Sequence, residues 1–134
     1  MTVVVDANVA IAVLNPADQF HLVAVRACVE ARDVEILNIT HAEALIHPTR
    51  AGKYFAAHRE LERLGFRVQE VTDDVARRAC ELRAEFGNRH FPMVDAVVVA
   101  HGVRRGLTVV TCDAKWPTMS QISIDVLSLA SPKR

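Results

Sequence analysis

Short apolar stretches alternate along the chain with longer segments in which apolar residues recur at helical spacing. The apolar stretches predict β-strands at residues 3–6, 34–39, 66–71, 108–112 and 122–127. The longer segments predict helices at residues 7–14, 20–32, 40–47, 49–64, 73–86 and 92–105. Strands that alternate with helices in this way are typical of a mainly parallel sheet covered by helices. We therefore predict an α/β fold in a single domain, residues 1–134.

Several residues mark where the predicted helices begin and end. Thr40 is expected to cap one helix and Thr72 or Asp73 another, because their side-chain oxygens accept hydrogen bonds from the free amides of a first turn. Pro48 is expected to break the helix before it, since proline lacks the amide hydrogen that a helix interior needs. Three predicted helices are followed by a glycine that commonly ends a helix: Gly65, Gly87 and Gly106.

Four acidic residues interrupt the apolar pattern close to points where a strand is followed by a helix. They are Asp6, Glu43, Asp95 and Asp113. The carboxyl ends of parallel strands lie along one edge of a sheet, and ligands bind beyond that edge. We therefore expect all four side chains at the same edge, with Asp95 in the first turn of a helix that points to it.

Helix capping alone would explain each of these acids. Asp6 and Asp113 are placed as caps, Glu43 forms a capping-box pattern with Thr40, and Asp95 suits the positive end of a helix dipole. Four carboxylates within ~5–6 Å of one another, however, repel and raise one another's pKa. A divalent cation removes that penalty, and Mg²⁺ and Mn²⁺ favour carboxylate and water ligands. The set therefore predicts catalytic acids that bind such a cation.

The chemistry that follows is metal-assisted hydrolysis of a phosphodiester. A divalent cation polarises the phosphoryl oxygen and lowers the pKa of a bound water. Asn8 is expected to hold a metal-bound water or to orient Asp6, and Thr111 to bind a carboxylate or a substrate phosphate. Alternatively, Asn8 is an exposed residue of a first helical turn and Thr111 an ordinary strand residue. The sequence contains no zinc-ligand pair, no Ser-His-Asp pattern and no glycine-rich phosphate loop.

The composition excludes several other classes of protein. Hydrophobic residues make up 51% of the 134 residues and charged residues 24%, which is typical of a globular chain. The three cysteines are widely spaced, which favours reduced thiols and a cytoplasmic location. No apolar run is long enough to predict a transmembrane helix, so no membrane association is expected. With 16 basic and 16 acidic residues, the net charge gives no support to nucleic-acid binding.

The segments that carry the four acids resemble the PIN-domain ribonucleases, and among them the VapC-type toxins of prokaryotic toxin–antitoxin pairs. The matching segments are VVVDANVAIAVL, NITHAEALIHP, FPMVDAVVVAHGVRRG and LTVVTCDAKW. The resemblance implies a three-layer α/β/α domain with a central parallel sheet, a Mg²⁺ or Mn²⁺ site and endoribonuclease activity on RNA. It also implies a homodimer and a cognate antitoxin protein that fills the acidic groove.

The resemblance also assigns roles to individual residues. By position, the family's metal-binding acids correspond to Asp6, Glu43, Asp95 and Asp113, and its polar helpers to Asn8 and Thr111. Many relatives carry a further acid where this chain has Lys115, Trp116 and Pro117, so we expect one cation rather than two. Trp116 either stacks on an unpaired base, which contributes ~1–3 kcal/mol, or belongs to the core or an interface.

Substrate binding is expected on a basic segment that follows Glu43. Residues 50–67 carry five basic and two acidic residues, and we predict that Arg50 and Lys53 contact the RNA backbone. The alternative is an ordinary solvated helix face.

Two further functions are compatible with an acidic site on such a sheet. One is a phosphatase or phosphotransfer domain, although Asp6-Ala7-Asn8 lacks the second acid of an Asp-x-Asp motif. The other is a non-catalytic RNA-binding module, and the complete set of four acids argues against it.

Overall fold

A single parallel sheet forms the centre of the molecule. The computed structural model describes residues 1–129, so residues 130–134 of the predicted domain lie outside the described residues. Within residues 1–129 the five strands are β1 (Thr2–Val5), β2 (Asp33–Leu37), β3 (Phe66–Gln69), β4 (Thr108–Thr111) and β5 (Ile124–Val126). Their order across the sheet is β3-β2-β1-β4-β5, and every described pairing is parallel. The predicted α/β class is confirmed.

Helices cover both faces of this sheet. They are α1 (Ala7–Leu14), α2 (His21–Ala31), α3 (Asn38–Ala44), α4 (Ile46–Arg50), α5 (Tyr54–Arg63), α6 (Asp73–Phe86) and α7 (Met93–Arg105). Alternate residues of β1 point to opposite faces, so Val3 and Val5 pack with α1 and α2 while Val4 packs with α6 and α7. The result is the three-layer arrangement that the sequence resemblance implied.

The central position of β1 determines where the functional side chains meet. β1 pairs with β4 in a register that places Val5 opposite Val110. The pairing extends one residue further, because the Asp6 amide donates to the Val110 carbonyl oxygen at 3.0 Å. Asp6 and Thr111 therefore leave the sheet side by side at its carboxyl edge.

Several predicted helix ends are confirmed. The Thr72 hydroxyl accepts a hydrogen bond from the Val75 amide at the start of α6, and Gly87 ends that helix. Pro92 precedes α7, and Gly106 follows it in the left-handed conformation at φ +67°. At the start of α6 the Thr72 side chain supplies an acceptor for a free amide, and at the end of α7 Gly106 adopts a conformation that glycine tolerates best.

Three predictions around residues 38–64 were wrong. α3 begins directly after β2, Thr40 is buried inside it, and no side chain caps it. The capping-box role of Glu43 is therefore excluded. The helix predicted over residues 49–64 is two helices, divided at Gly52 with φ +71°. Pro48 does not break a helix but lies in the first turn of α4, where its missing amide hydrogen costs little.

An ionic cluster around a buried carboxylate, which the sequence did not predict, joins the sheet to the far end of α7. Glu35 of β2 is 0% exposed and accepts hydrogen bonds from His101 at 2.7 Å and from Arg67 at 3.2 Å. Arg105 donates two further hydrogen bonds to the same carboxylate, at 2.5 and 3.3 Å. Burial acts to raise the pKa of Glu35, but the hydrogen bonds from Arg105 and His101 outweigh it and lower that pKa. His101 is thus a buried residue of α7.

In the part of the chain that the structure describes, no helix has the length and apolar character needed to cross a membrane.

Candidate metal centre

Asp6 lies at the junction of β1 and α1 and is 5% exposed. Its Oδ1 accepts a hydrogen bond from the Ala7 amide at 2.9 Å, and its Oδ2 accepts one from the Thr111 hydroxyl at 3.1 Å. Burial, with a further effect of the nearby charges of Asp95 and Glu43, raises the pKa of Asp6 to about 7 despite the hydrogen bonds from Ala7 and Thr111. Asp6 therefore has the predicted N-cap position and also carries a charge that its surroundings destabilise.

A hydrogen-bond network holds the end of β4 against the start of α1. Asn8 donates from Nδ2 to the Thr111 hydroxyl oxygen at 3.3 Å and accepts from the Cys112 amide at 3.0 Å. The same Thr111 oxygen accepts from the Asp113 amide at 3.0 Å. Thr111 is fully buried and Asn8 half-buried, so neither is simply a solvent-facing residue. Asn8 acts on Asp6 through Thr111 and not directly.

Asp95 occupies the first turn of α7, as predicted, and is half-buried. Its Oδ2 accepts a hydrogen bond from the indole Nε1 of Trp116 at 3.0 Å. Burial raises the pKa of Asp95; the hydrogen bond from Trp116 opposes the rise, and the charges of Asp113 and Glu43 add to it.

Of the two remaining acids, Asp113 is half-buried and Glu43 is exposed. Asp113 accepts a hydrogen bond from the Lys115 amide at 2.8 Å and so caps the turn that follows it, as its position predicted. It also lines a cavity of about 400 Å³ together with Asn8 and Phe20. Glu43 is exposed on α3 and lines a separate groove of about 590 Å³ whose walls include Ile11 and Ile46.

Electrostatic coupling connects the four acids. Asp6 is affected by the charges of Asp95 and Glu43, and Asp95 by those of Glu43 and Asp113. Every one of these effects raises a pKa, which is the repulsion expected of carboxylates that share a site without a counter-charge. All the donors are oxygens, so the set suits a hard divalent cation and not zinc.

The acids are not, however, arranged as a complete ligand shell. Within residues 1–129, no group of three or more His, Cys, Asp or Glu side chains could hold a metal ion by itself. Mg²⁺ usually keeps several of its waters and is bound through one or two carboxylates. The residues therefore fit a cation that is held partly through water.

Arg50 and Lys53 are exposed at the turn between α4 and α5. Within residues 1–129 neither forms an ion pair with a carboxylate. α4 also contributes His47 and Pro48 to the groove that Glu43 lines. The predicted contact of Arg50 and Lys53 with RNA would therefore use two positive charges that have no ion-pair partner among residues 1–129. Both lie at the helix pair that borders this groove.

Trp116 contacts one of the four acids directly, which its position in the sequence did not indicate. Its ring packs against Phe91, with ring centroids 5.5 Å apart and an angle of 66° between the planes. The ring is half-buried, and its nitrogen is committed to Asp95. The hydrogen bond to Asp95 was not predicted, because the two residues are 21 positions apart and no local pattern connects them.

Comparison with solved structures found proteins of similar fold. No curated protein matches the chain in sequence. VapC20 of Mycobacterium tuberculosis, described as a Sarcin-Ricin loop cleaving toxin, is 26% identical, with a TM-score of 0.64 over 80% of this chain and 86% of that chain. FitAcB of Neisseria gonorrhoeae is 24% identical, with a TM-score of 0.68 over 92% and 96% of the two chains. A toxin-antitoxin complex from Klebsiella pneumoniae is 21% identical, with a TM-score of 0.70 over 84% and 88%.

The family itself follows from a sequence match. Residues 3–121 match the family model described as PIN domain. That range contains all four acids, Asn8, Thr111 and Trp116, so the match spans the whole candidate site. The resemblance inferred from the four acidic segments is confirmed, and the chain belongs to the PIN domain family.

Proposed function

We propose that this protein is a Mg²⁺- or Mn²⁺-dependent endoribonuclease and the toxin of a toxin–antitoxin pair. The observation that carries the proposal is Asp6, a buried acid whose pKa is raised to about 7 by burial and by the other acids. An uncompensated buried carboxylate is costly, and a bound cation is the simplest compensation. Membership of the PIN domain family supports nuclease chemistry.

The residues that would hold the cation are Asp6, Glu43, Asp95 and Asp113. A bound divalent cation supplies polarisation of a phosphoryl oxygen and a more acidic water. Thr111 keeps the Asp6 carboxylate in a fixed orientation through its 3.1 Å hydrogen bond, and Asn8 fixes Thr111 in turn. The exposed position of Glu43 leaves it free to approach an ion or to orient a water at the mouth of the site.

The proposed partners are RNA, an antitoxin and a second copy of the chain. VapC20 is described as cleaving the Sarcin-Ricin loop, and the Klebsiella pneumoniae neighbour is a toxin-antitoxin complex. The groove beside Glu43 has the mixed character that an antitoxin segment would need, since it combines a carboxylate with the exposed side chains of Ile11 and Ile46. Arg50 and Lys53 would contact the RNA backbone next to this groove. A cytoplasmic location follows from these partners.

Cleavage assays with matched variants test the nuclease proposal. The purified protein is expected to cut total cellular RNA with Mg²⁺ or Mn²⁺ and to lose this activity in EDTA. Asp95→Asn should abolish cleavage, whereas Asp74→Asn should not, because Asp74 is an exposed carboxylate of α6 whose ion-pair partner is Arg104. Cleavage by the Asp95→Asn protein in the presence of chelator would refute the proposal.

A further inference from the structure

We propose that Trp116 is a positioning residue of the metal centre, whose indole N–H holds the Asp95 carboxylate in the orientation that binds the cation. This inference rests on the proposed function, since it concerns the same site. It assigns a chemical task to a residue that apolar packing alone would otherwise explain.

The contact itself is direct. The Trp116 Nε1 donates to Asp95 Oδ2 at 3.0 Å, which is an ordinary length for a hydrogen bond. Within residues 1–129 the Asp95 side chain forms no other hydrogen bond, so the indole is the one hydrogen-bond donor that orients this carboxylate. The second oxygen, Oδ1, is left available to an ion or to its waters.

Two parts of the structure fix the position of the indole ring. On one side it packs against Phe91, which is fully buried and lies immediately before Pro92 and the start of α7. In the main chain before it, Asp113 accepts a hydrogen bond from the Lys115 amide and so shapes the turn that leads to Trp116. The ring is therefore attached both to the base of the helix that carries Asp95 and to the turn formed by Asp113.

Asp6 provides a comparison within the same site. Its Oδ2 accepts from a single side-chain donor, the Thr111 hydroxyl at 3.1 Å, much as Asp95 Oδ2 accepts from Trp116. Asp6 and Asp95 thus each have one side-chain donor, and the two donors come from opposite ends of the segment 111–116. Groups that orient metal ligands in this way typically contribute 10–100-fold to metal affinity.

Because Trp116 is the only tryptophan of the chain, replacing all tryptophan by an analogue alters this site alone. 3-Benzothienylalanine keeps the shape of the ring but has sulfur in place of the N–H. 7-Azatryptophan keeps the N–H and serves as the matched control. The genetically encoded variants Trp116→Phe and Phe91→Leu provide a second pair, in which the first removes the donor and the second only loosens the packing.

The primary measurement is Mn²⁺ binding to the isolated protein, by calorimetry or by the paramagnetic resonance of free Mn²⁺. We expect 3-benzothienylalanine and Trp116→Phe to weaken Mn²⁺ binding about 10-fold, while 7-azatryptophan leaves it unchanged. RNA cleavage by the Trp116→Phe protein should recover at saturating Mn²⁺, which a merely structural defect would not do.

The possible results separate this inference from the proposed function. Equal Mn²⁺ affinity of the benzothienyl and unmodified proteins would overturn the role of Trp116 and leave the nuclease proposal intact. An equal loss with both analogues would assign the effect to ring packing and would also overturn it. If the unmodified protein bound no Mn²⁺, the metal centre would fail and the inference with it.

Discussion

Replacement of Asp6 by asparagine is expected to stabilise the metal-free protein at neutral and alkaline pH. The variant keeps the shape of the side chain and its hydrogen bond from the Ala7 amide, which is 2.9 Å long in the native protein. It removes the charge that burial and the other acids destabilise. The same substitution should abolish metal binding, so stability and function are predicted to change in opposite directions.

The size of the effect follows from the pKa. A rise from the ordinary value of 3.8 to about 7 corresponds to about 4 kcal/mol against the ionised folded state. In asparagine an amide nitrogen replaces the carboxylate oxygen that accepts from the Thr111 hydroxyl, so this hydrogen bond is lost. The loss of a neutral hydrogen bond costs about 1 kcal/mol. The expected net gain is therefore about 2–3 kcal/mol, or about 10 °C in Tm for a domain of this size.

The sign of the pH dependence is determined by the direction of the shift. Because the folded-state pKa of Asp6 lies above its unfolded value, its contribution to stability is complete below about pH 4 and is lost as the pH rises through about 7. Asparagine does not titrate. The stabilities of the two proteins should therefore separate between about pH 4 and pH 7 and stay a constant distance apart above that range.

Thermal or urea unfolding in the presence of chelator, at pH 5 and at pH 8.5, measures this separation. Asp125→Asn is a suitable control, because Asp125 is an exposed carboxylate on the edge strand β5. Mn²⁺ at 100 times its Kd should restore about 2.7 kcal/mol to the native protein and nothing to the variant. A difference in stability that is the same at both pH values, or a variant less stable than the native protein at pH 8.5, would refute the reasoning.

Three other predictions concern the rest of the molecule. Glu35→Ala should lower the free energy of unfolding by about 3 kcal/mol, measured in urea, because the buried His101 loses its partner and the half-exposed Arg67 and Arg105 lose the acceptor that they share. The pKa of Glu35 is lowered in the folded protein, so its contribution to stability is present above the ordinary pKa of 4.5 and is lost as the pH falls further. The double variant Arg50→Glu/Lys53→Glu should weaken RNA binding and flatten its dependence on salt, and an unchanged affinity and salt slope would exclude these residues from the interface. Gly65→Ala should lower Tm more than Gly106→Ala, because both glycines have positive φ but only at residue 65 would the added carbon lie 2.5 Å from a main-chain carbonyl oxygen.

The parts of the fold that were predicted correctly are those that nearby residues determine. α6 is an example, since Thr72 caps its start through a contact three residues away and Gly87 follows its end. α3 was placed wrongly because its start is set by where β2 ends. β2 stops after Leu37, which pairs with Gln69 of β3, and a contact across 32 residues leaves no local signal.

The same distinction applies to the site. The four acids were recognised because each interrupts an apolar segment, and their electrostatic coupling agrees with the shared edge that was predicted. The contact of Trp116 with Asp95 and the burial of Glu35 were missed. Both depend on side chains brought together from distant segments, Glu35 with His101 across 66 residues and Trp116 with Asp95 across 21.

The pairing of β1 with β4 has a consequence for the synthesis of this protein. Asp6 and the Thr111 that orients it are 105 residues apart in sequence, yet they meet at adjacent strand ends. A nascent chain contains neither Thr111 nor Asp113 until the ribosome has synthesised β4 and the residues directly after it. Because the proposed site combines the ends of β1 and β4, it can form only after translation has passed residue 113. The proposed ribonuclease therefore cannot attack RNA before that point.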